Sequence, residues 1–552
     1  MDLHAGAVGT ATRSDRTPHG PMEQLMAGQT DDTEVRDEQL ADVPQMGERL
    51  EPERVSRRAW VGRFVGPVLA ILVFLVLPTG DGGLSLGGRA TIAIGLLMAV
   101  WWVTEALPLA ATALLPLMLF PVTGVLEIED AAAPYANDLI FLFMGGFMLA
   151  LAMQRWGLHR RIALQTIRAV GTKPKAMIGG FMIATGFLSM WVSNTATTVM
   201  MLPIGLAVLK LVFDRVEHVD STDADAITGR GAPNFATALM LGTAFAASIG
   251  SLGTIIGTPP NTFMAAYLAD NHDINLGFGQ WMLFGVPIAV VFLAIAWFVI
   301  TRMYPPQMDE IPGGRQMIQG ELDELGPMSR GEKVVAGVFA LTALLWIIRS
   351  PLQGWVAGTT LEGIDDAAIA IGAAIVLFAW PVDREHGVFA LDWETARQLP
   401  WGILLLFGGG LSLAAAVSEN GVDSFIGQQV EALGGLPASL LIAVVAIIVI
   451  FLTELTSNTA TTAAVVPIVG GVAVGLGYGP MVLVVPAALA ATCAFMLPVA
   501  TPPNAIVFGS GHITIQQMAR IGIILNGIGI VLITLVMLAL AGPVLGVSFS
   551  AG

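Results

Sequence analysis

Cysteine and charge are what this chain has least of. Its single cysteine, Cys493, cannot close an internal disulfide, so it says nothing of redox compartment. Set in an apolar run, it reads as a small buried packing residue. Charged side chains make up 12% of the 552 residues, against roughly 25% in a soluble domain. With 55% hydrophobic residues and a mean hydropathy of +0.74, a soluble globular protein is excluded. The seven histidines (His4, His19, His159, His218, His272, His386 and His512) are scattered, and none has metal-ligand spacing. No phosphate-cradling glycine loop occurs, and no soluble stretch is large enough for an ATPase. Uphill movement of a solute must therefore draw on an ion gradient or an exchanged solute. Net charge is −16, and much of the acid lies outside the apolar runs, for example at Asp220, Asp223, Asp225 and Glu321. That fits solvated loops, and no nucleic-acid partner is expected.

What is present is a succession of apolar runs that reach the roughly 20 residues needed to cross a bilayer. They are continuous rather than alternating, which excludes a porin-type barrel. The chain reads as an all-α polytopic protein of the cell (inner) membrane. Within this apolar background, Ser193-Asn194-Thr195-Ala196-Thr197-Thr198 recurs letter for letter as Ser457-Asn458-Thr459-Ala460-Thr461-Thr462. Each island is followed by a proline, Pro203 or Pro467. A polar island in hydrocarbon is costly unless it binds something or is paired. One such island is more often interhelical glue. Two identical ones point to one site built from two halves.

Residues 1–55 are polar, lack apolar periodicity and read as a disordered leader. Arg54, Arg57, Arg58 and Arg63 precede the first apolar span, which places the N-terminus in the cytoplasm. Four spans, near 60–78, 88–107, 109–126 and 137–156, return the chain to Arg155, Arg160, Arg161, Arg168, Lys173 and Lys175. The stretch 174–212 carries the first island between two apolar halves, each shorter than a crossing, and Lys210, Arg215 and Arg230 lie beyond the island. It reads as a re-entrant helical hairpin with the island at its tip. A fifth span, 234–268, is broken at Gly257-Thr258-Pro259-Pro260-Asn261, because consecutive prolines remove two amide donors. Further spans follow near 279–302, 333–349 and 365–381.

The second half repeats the first. Phe143-Met144-Gly145-Gly146 is echoed by Phe407-Gly408-Gly409-Gly410, and Thr258-Pro259-Pro260-Asn261 by Thr501-Pro502-Pro503-Asn504. The interval from Gly145 to Gly409 equals that from Ser193 to Ser457. The interval from Pro259 to Pro502 is shorter by about the length of an acidic loop, 214–233, found only in the first copy. A second hairpin is expected at 436–477, a broken span at 480–508 and a last span at 520–542, with the C-terminus outside. An odd number of crossings separates the copies, so they face opposite ways, the inverted repeat of secondary transporters. The glycine runs are read as close helix contacts. Glu105 and Glu454 are intramembrane acids; each is read as hydrogen-bonded structure in preference to a proton relay.

The islands also suggest a chemistry. Freed carbonyls with Ser, Thr and Asn oxygens suit a small hard cation. Half-helix N-termini suit an anion. No Lys or Arg lies near either motif in the sequence. The counter-charge for a multiply charged anion would then come from bound cations, a physical reason for sodium coupling.

At these residues the chain, over about 60–545, resembles the divalent anion/sodium symporter (DASS) family, whose bacterial members include the INDY-type dicarboxylate transporters. The resemblance implies an elevator-type transporter with about 11 transmembrane helices and two re-entrant hairpins, working as a homodimer in the lipid bilayer. It implies that Ser193, Asn194, Thr195, Ser457, Asn458 and Thr459 hold substrate carboxylates, with Thr258, Pro259, Thr501 and Pro502 completing the pocket. It places one sodium at Ser189, Asn194 and Gly257, and another at Thr453, Thr456, Asn458 and Ala500. The expected organisation is a leader (1–58), scaffold helices (59–136), a first transport part (137–278), scaffold and linker (279–399), a second transport part (400–511) and a last helix with the C-terminus (512–552). The leader and the 214–233 loop depart from the compact bacterial pattern. The expected activity is sodium-coupled transport of C4-dicarboxylates such as succinate, malate or fumarate. The alternatives are a dicarboxylate exchanger or a tricarboxylate or sulfate transporter. An anion channel needs a continuous polar pore, and an enzyme needs a poised nucleophile or metal; neither pattern is found. The whole reading requires Asn194 and Asn458 to meet in space.

Overall fold

The computed structural model describes residues 56–550 except 80–82, 218–230, 307, 309, 312, 357–362 and 431–435. Nearly all of the 1–58 leader and most of the 214–233 loop lie outside the described residues. The rest is helical, apart from a two-stranded ribbon that pairs Pro381–Asp383 with Val388–Phe389. Among the described residues, ten helices are long and apolar enough to cross a membrane, and four shorter apolar helices accompany them.

Exposure follows from what each helix touches. Arg57–Val76 is capped by the Ser56 side chain, which accepts from the Ala59 amide. It leaves Trp60, Phe64, Ile71 and Val76 exposed, as a helix facing lipid does. Gly231–Gly250, by contrast, is buried almost throughout, and so is Met481–Ala491. A helix that is apolar on every side and surrounded by protein is core. These two helices are the leading halves of the two broken crossings.

Both hairpins form where the chain was expected to turn. Pro174–Ser189 and Asn194–Glu217 are the arms of the first, and Ala438–Thr453 and Asn458–Gly475 the arms of the second. Pro174 sits at the first turn, where its missing N–H costs nothing. Both crossings break with nearly the same backbone: Thr258 at φ −145°, ψ 143° before Pro259, and Thr501 at φ −141°, ψ 149° before Pro502. Phe278–Met303 packs directly on the first break, where the Trp281 indole donates to the Leu252 carbonyl at 3.1 Å.

The glycine run on Trp401–Glu419 is where that helix meets its neighbours. A Cβ at Gly408 would lie 2.2 Å from the Tyr135 ring, one at Gly409 2.2 Å from the Ala113 carbonyl oxygen, and one at Gly410 2.5 Å from the Phe263 ring. Three contacts on three successive faces let other helices approach the backbone of the element that leads to the second hairpin.

At one end of the bundle, Leu158–Val170 lies against Gly314–Leu325. Arg161 is buried there and pairs with Glu332, Nε to Oε1 at 2.6 Å and Nη2 to Oε2 at 3.2 Å. It also donates to the carbonyls of Gly326 and Leu325. Glu332 in turn accepts from the Ser329 amide at 2.7 Å while its own amide donates to Ser329 Oγ, a capping box. Glu332→Ala leaves the Arg161 guanidinium buried and unpaired. The expected cost is about 3–5 kcal/mol, measured as a lower thermal unfolding midpoint, whereas the exposed Arg330→Ala should stay within about 0.5 kcal/mol of the parent.

Candidate functional site

The turn that ends each first arm delivers its island to a helix start. Asn194 and Asn458 are the first residues of their helices, and Thr198 and Thr462 close the first turn by donating to the Asn194 and Asn458 carbonyls at 2.8 Å. Ser193 Oγ caps the Ala196 amide at 3.2 Å; Ser457 makes no such cap bond. The islands, 264 residues apart in sequence, line one cavity of about 1010 Å³ (457 − 193 = 264). Ser193, Asn194 and Thr195 come from the first hairpin; Ser457, Asn458 and Thr459 come from the second. Thr258, Pro259, Thr501 and Pro502 complete the wall, with Gly257, Thr456 and Ala500 beside them. Asn194–Glu217, Pro259–His272, Asn458–Gly475 and Pro502–Gly509 therefore all begin at this cavity. Four N-terminal dipole ends meet at a common space, which favours negative charge; free amides come from the two hairpin helices, since Pro259, Pro260, Pro502 and Pro503 carry no N–H.

Ser189 and Thr453 are fully buried behind the wall rather than on it. Ser189 Oγ lies 3.0 Å from Asn194 Oδ1 and 2.6 Å from the Ala247 carbonyl. Thr453 Oγ1 lies 2.8 Å from Asn458 Oδ1 and 3.0 Å from the Ala491 carbonyl. Each hydroxyl has one proton for two acceptors. Three oxygens with one hydrogen form an electron-rich corner, the donor set a small hard cation prefers. Gly257 packs on Ser251, where a Cβ would lie 2.3 Å from the Ser251 carbonyl oxygen, and Asn194 Nδ2 donates to Ser251 Oγ at 3.3 Å. Among the described residues, no cluster of three His, Cys, Asp or Glu is placed to hold a metal, so a cation here would be met by neutral oxygens.

Three features of the site were not readable from the sequence pattern. The asparagines that end the Pro-Pro-Asn motifs are fully buried and tie the unwound chain. Asn261 Nδ2 donates to the Thr254 carbonyl at 2.9 Å, and Asn504 Nδ2 to those of Ala494 and Leu497 at 3.1 Å. Their signal was the motif's own repetition. Second, Glu454 has no acidic counterpart, since Met190 occupies its place in the first copy. Its carboxylate accepts from the amides of Phe495 (2.7 Å), Met496 (2.9 Å) and Leu497 (3.1 Å) and from Asn526 Nδ2 (2.7 Å). In the first copy Thr254 Oγ1 instead donates to the Met190 carbonyl at 2.5 Å. Glu454 therefore organises the second break. A matching asymmetry leaves the Thr197 hydroxyl buried without a partner, because its counterpart Thr461 pairs with Thr456, and the first copy has Val192 there.

The third feature corrects an expectation. Arg58 does lie near an island: its Nη2 donates to the Leu455 carbonyl at 3.2 Å, and it borders the cavity. Tertiary structure brings the start of the first helix to a hairpin 397 residues further on. Glu105, in the left-handed region at φ 52° where Leu86–Thr104 ends, borders the same cavity. These two are the charged side chains on its wall among the described residues, and their charges oppose.

A polytopic helical membrane transporter with paired hairpins and two broken crossings is the class that this fold and site define. The chain belongs to the Sodium:sulfate symporter transmembrane region family, matched over residues 58–547. It is 45% identical over 490 residues to the sodium-dependent dicarboxylate transporter SdcS of Staphylococcus saprophyticus, across 88% of this chain and 92% of that one. It is 43% identical over 493 residues to SdcS of Staphylococcus aureus strain USA300, across 89% and 92% of the two chains. The fold is also that of the YdaH transporter of Alcanivorax borkumensis, with a TM-score of 0.52 at 14% identity, covering 82% of this chain and 99% of that one. The family places the chain among transporters rather than enzymes.

Glu454→Met, which copies the first repeat, leaves the buried Phe495 amide and the half-buried Met496 and Leu497 amides without an acceptor. It should destabilise the protein by roughly 3 kcal/mol or more, measured by thermal unfolding. Glu454→Gln should cost less, and the pH profile of transport should keep its shape. A profile flattened by Gln with stability untouched would instead identify a proton relay.

Proposed function

We propose that the protein is a secondary active transporter that moves C4-dicarboxylates such as succinate, malate or fumarate together with sodium ions. One observation carries the reading: four helix N-termini and two identical polar islands converge on a cavity whose charged wall residues, Arg58 and Glu105, oppose one another. Such a wall supplies hydrogen-bond donors and dipoles to a dianion but little net counter-charge. The two oxygen-rich corners supply the place for that counter-charge. The relatives at 43–45% identity are named as sodium-dependent dicarboxylate transporters, which supports the same choice of ion and solute.

In this reading Ser193, Asn194, Thr195, Ser457, Asn458 and Thr459 hold the two carboxylates. Thr258, Pro259, Thr501 and Pro502 shape the pocket between them. One sodium is bound at Ser189, Asn194 and Gly257 and the other at Thr453, Thr456, Asn458 and Ala500. The Ser189 and Thr453 hydroxyls act from behind, orienting the asparagine oxygens. Sodium neutralises the corners and fixes the tips, and the dianion then binds to a preorganised surface. The loaded hairpins and broken crossings move past the scaffold helices in an elevator step, and the working unit is a homodimer. With the N-terminus cytoplasmic and the C-terminus outside, the cavity, bordered by Ser56, Arg58, Pro400 and Gly402, opens toward the cytoplasm.

Succinate uptake into proteoliposomes should rise under an inward sodium gradient. Equal uptake with and without the gradient, accelerated by internal dicarboxylate, would establish exchange instead. No uptake of any C4 acid or of citrate would end the substrate assignment. Ser193→Ala removes a hydroxyl from the carboxylate site. Apparent substrate or sodium affinity should fall by about tenfold, the factor that corresponds to roughly 1.4 kcal/mol. Unchanged affinity for both would remove Ser193 from the site.

A further inference from the structure

Outside this cavity, an apolar groove of about 700 Å³ runs between the first arm of the first hairpin, Pro174–Ser189, and Phe278–Met303. That is within the roughly 300–1,000 Å³ of sites that take small molecules. Gly179, Ile183 and Phe187 form one wall; Val290, Leu293 and Trp297 form the other. Ile183, Phe187 and Val290 are exposed by 47%, 44% and 56%, so the groove is open along its length to whatever surrounds the helices. At one end Lys175 is the charged residue that borders it. There the Trp297 indole donates to the Lys175 carbonyl at 2.9 Å, which leaves the exposed Lys175 ammonium group free to turn outward. Lys173 and Arg302 are exposed on the same two elements near that end.

We propose that this groove is a binding site for an anionic phospholipid, with one acyl chain between the helices and the phosphate at Lys175. Acyl chains in the bilayer are as apolar as the groove, so the chain itself brings fit rather than preference. Preference must come from the headgroup, and Lys175, the charged residue bordering the trough, selects negative charge at its end. A tryptophan at the same level is where aromatic residues settle in membranes, at the boundary of headgroup and chain. The arm that lines the groove ends at Ser189, whose hydroxyl orients Asn194. A seated chain therefore braces the helix that carries the first oxygen-rich corner. The site does not depend on which solute is transported.

The test uses the full chain in nanodiscs of phosphatidylcholine with added phosphatidylglycerol. Phosphatidylglycerol and phosphatidylcholine probes carrying a photoreactive acyl chain are crosslinked, and the labelled peptides are mapped. Labelling of 175–190 and 282–297 by the phosphatidylglycerol probe should exceed that by the phosphatidylcholine probe about fivefold, the ratio one Lys contact supplies. Lys175→Gln should bring the ratio to one. Val290→Trp, a change on the exposed rim that should not disturb folding, should fill the groove and remove labelling by both probes there. Added phosphatidylglycerol should also raise the thermal unfolding midpoint of the parent but not of Lys175→Gln. Labelling spread over all exposed helices would overturn the proposal. So would a ratio of one in the parent, or labelling that survives Val290→Trp.

Discussion

Backbone amides and carbonyls have no water to turn to inside a bilayer, and every irregular element of this protein answers to that constraint. Two crossings are interrupted by Pro-Pro, and two hairpins turn at the polar islands. Each interruption strands several backbone groups. Asn261 and Asn504 take up the carbonyls, Glu454 takes up three amides, and Thr254 bonds the Met190 carbonyl. A site made in this way needs few charged residues, because helix ends and freed carbonyls are themselves its electrostatics.

The two halves solve one problem with different side chains. Backbone geometry at Thr258 and Thr501 is nearly the same, and Ser189 and Thr453 sit in matching corners. Yet the second copy uses a carboxylate where the first has methionine, and a Thr456–Thr461 pair where the first has Val192 and an unpartnered Thr197. The hydroxyl–asparagine corners are kept, while Thr456 on the wall, the Ser193 cap and the support behind them differ. Stability of the two tips is therefore set by different residues, so perturbing one need not perturb the other.

Arg58 shows how far primary distance can mislead. Its contact with Leu455 joins the start of the first helix to the tip of the second hairpin. Along the chain, no Lys or Arg lies near either island. In space there is one, balanced by Glu105 on the same wall. A multiply charged anion here still needs cations as counter-charge, because the pair adds no net charge.

The sequence alone determined the class of protein, the position of both hairpins and the repeat itself. Each is a local or periodic property: long apolar runs force helices, adjacent prolines force breaks, and an identical hexapeptide is visible without coordinates. It also marked the islands as polar groups that need partners. Tertiary structure decided which partners those are. Burial of Ser189 and Thr453 behind the wall, bracing of the second break by Glu454 and arrival of Arg58 at the cavity all join residues distant in the chain. Such contacts depend on how helices cross, and crossing geometry is set by packing of whole surfaces, which no single stretch of sequence encodes.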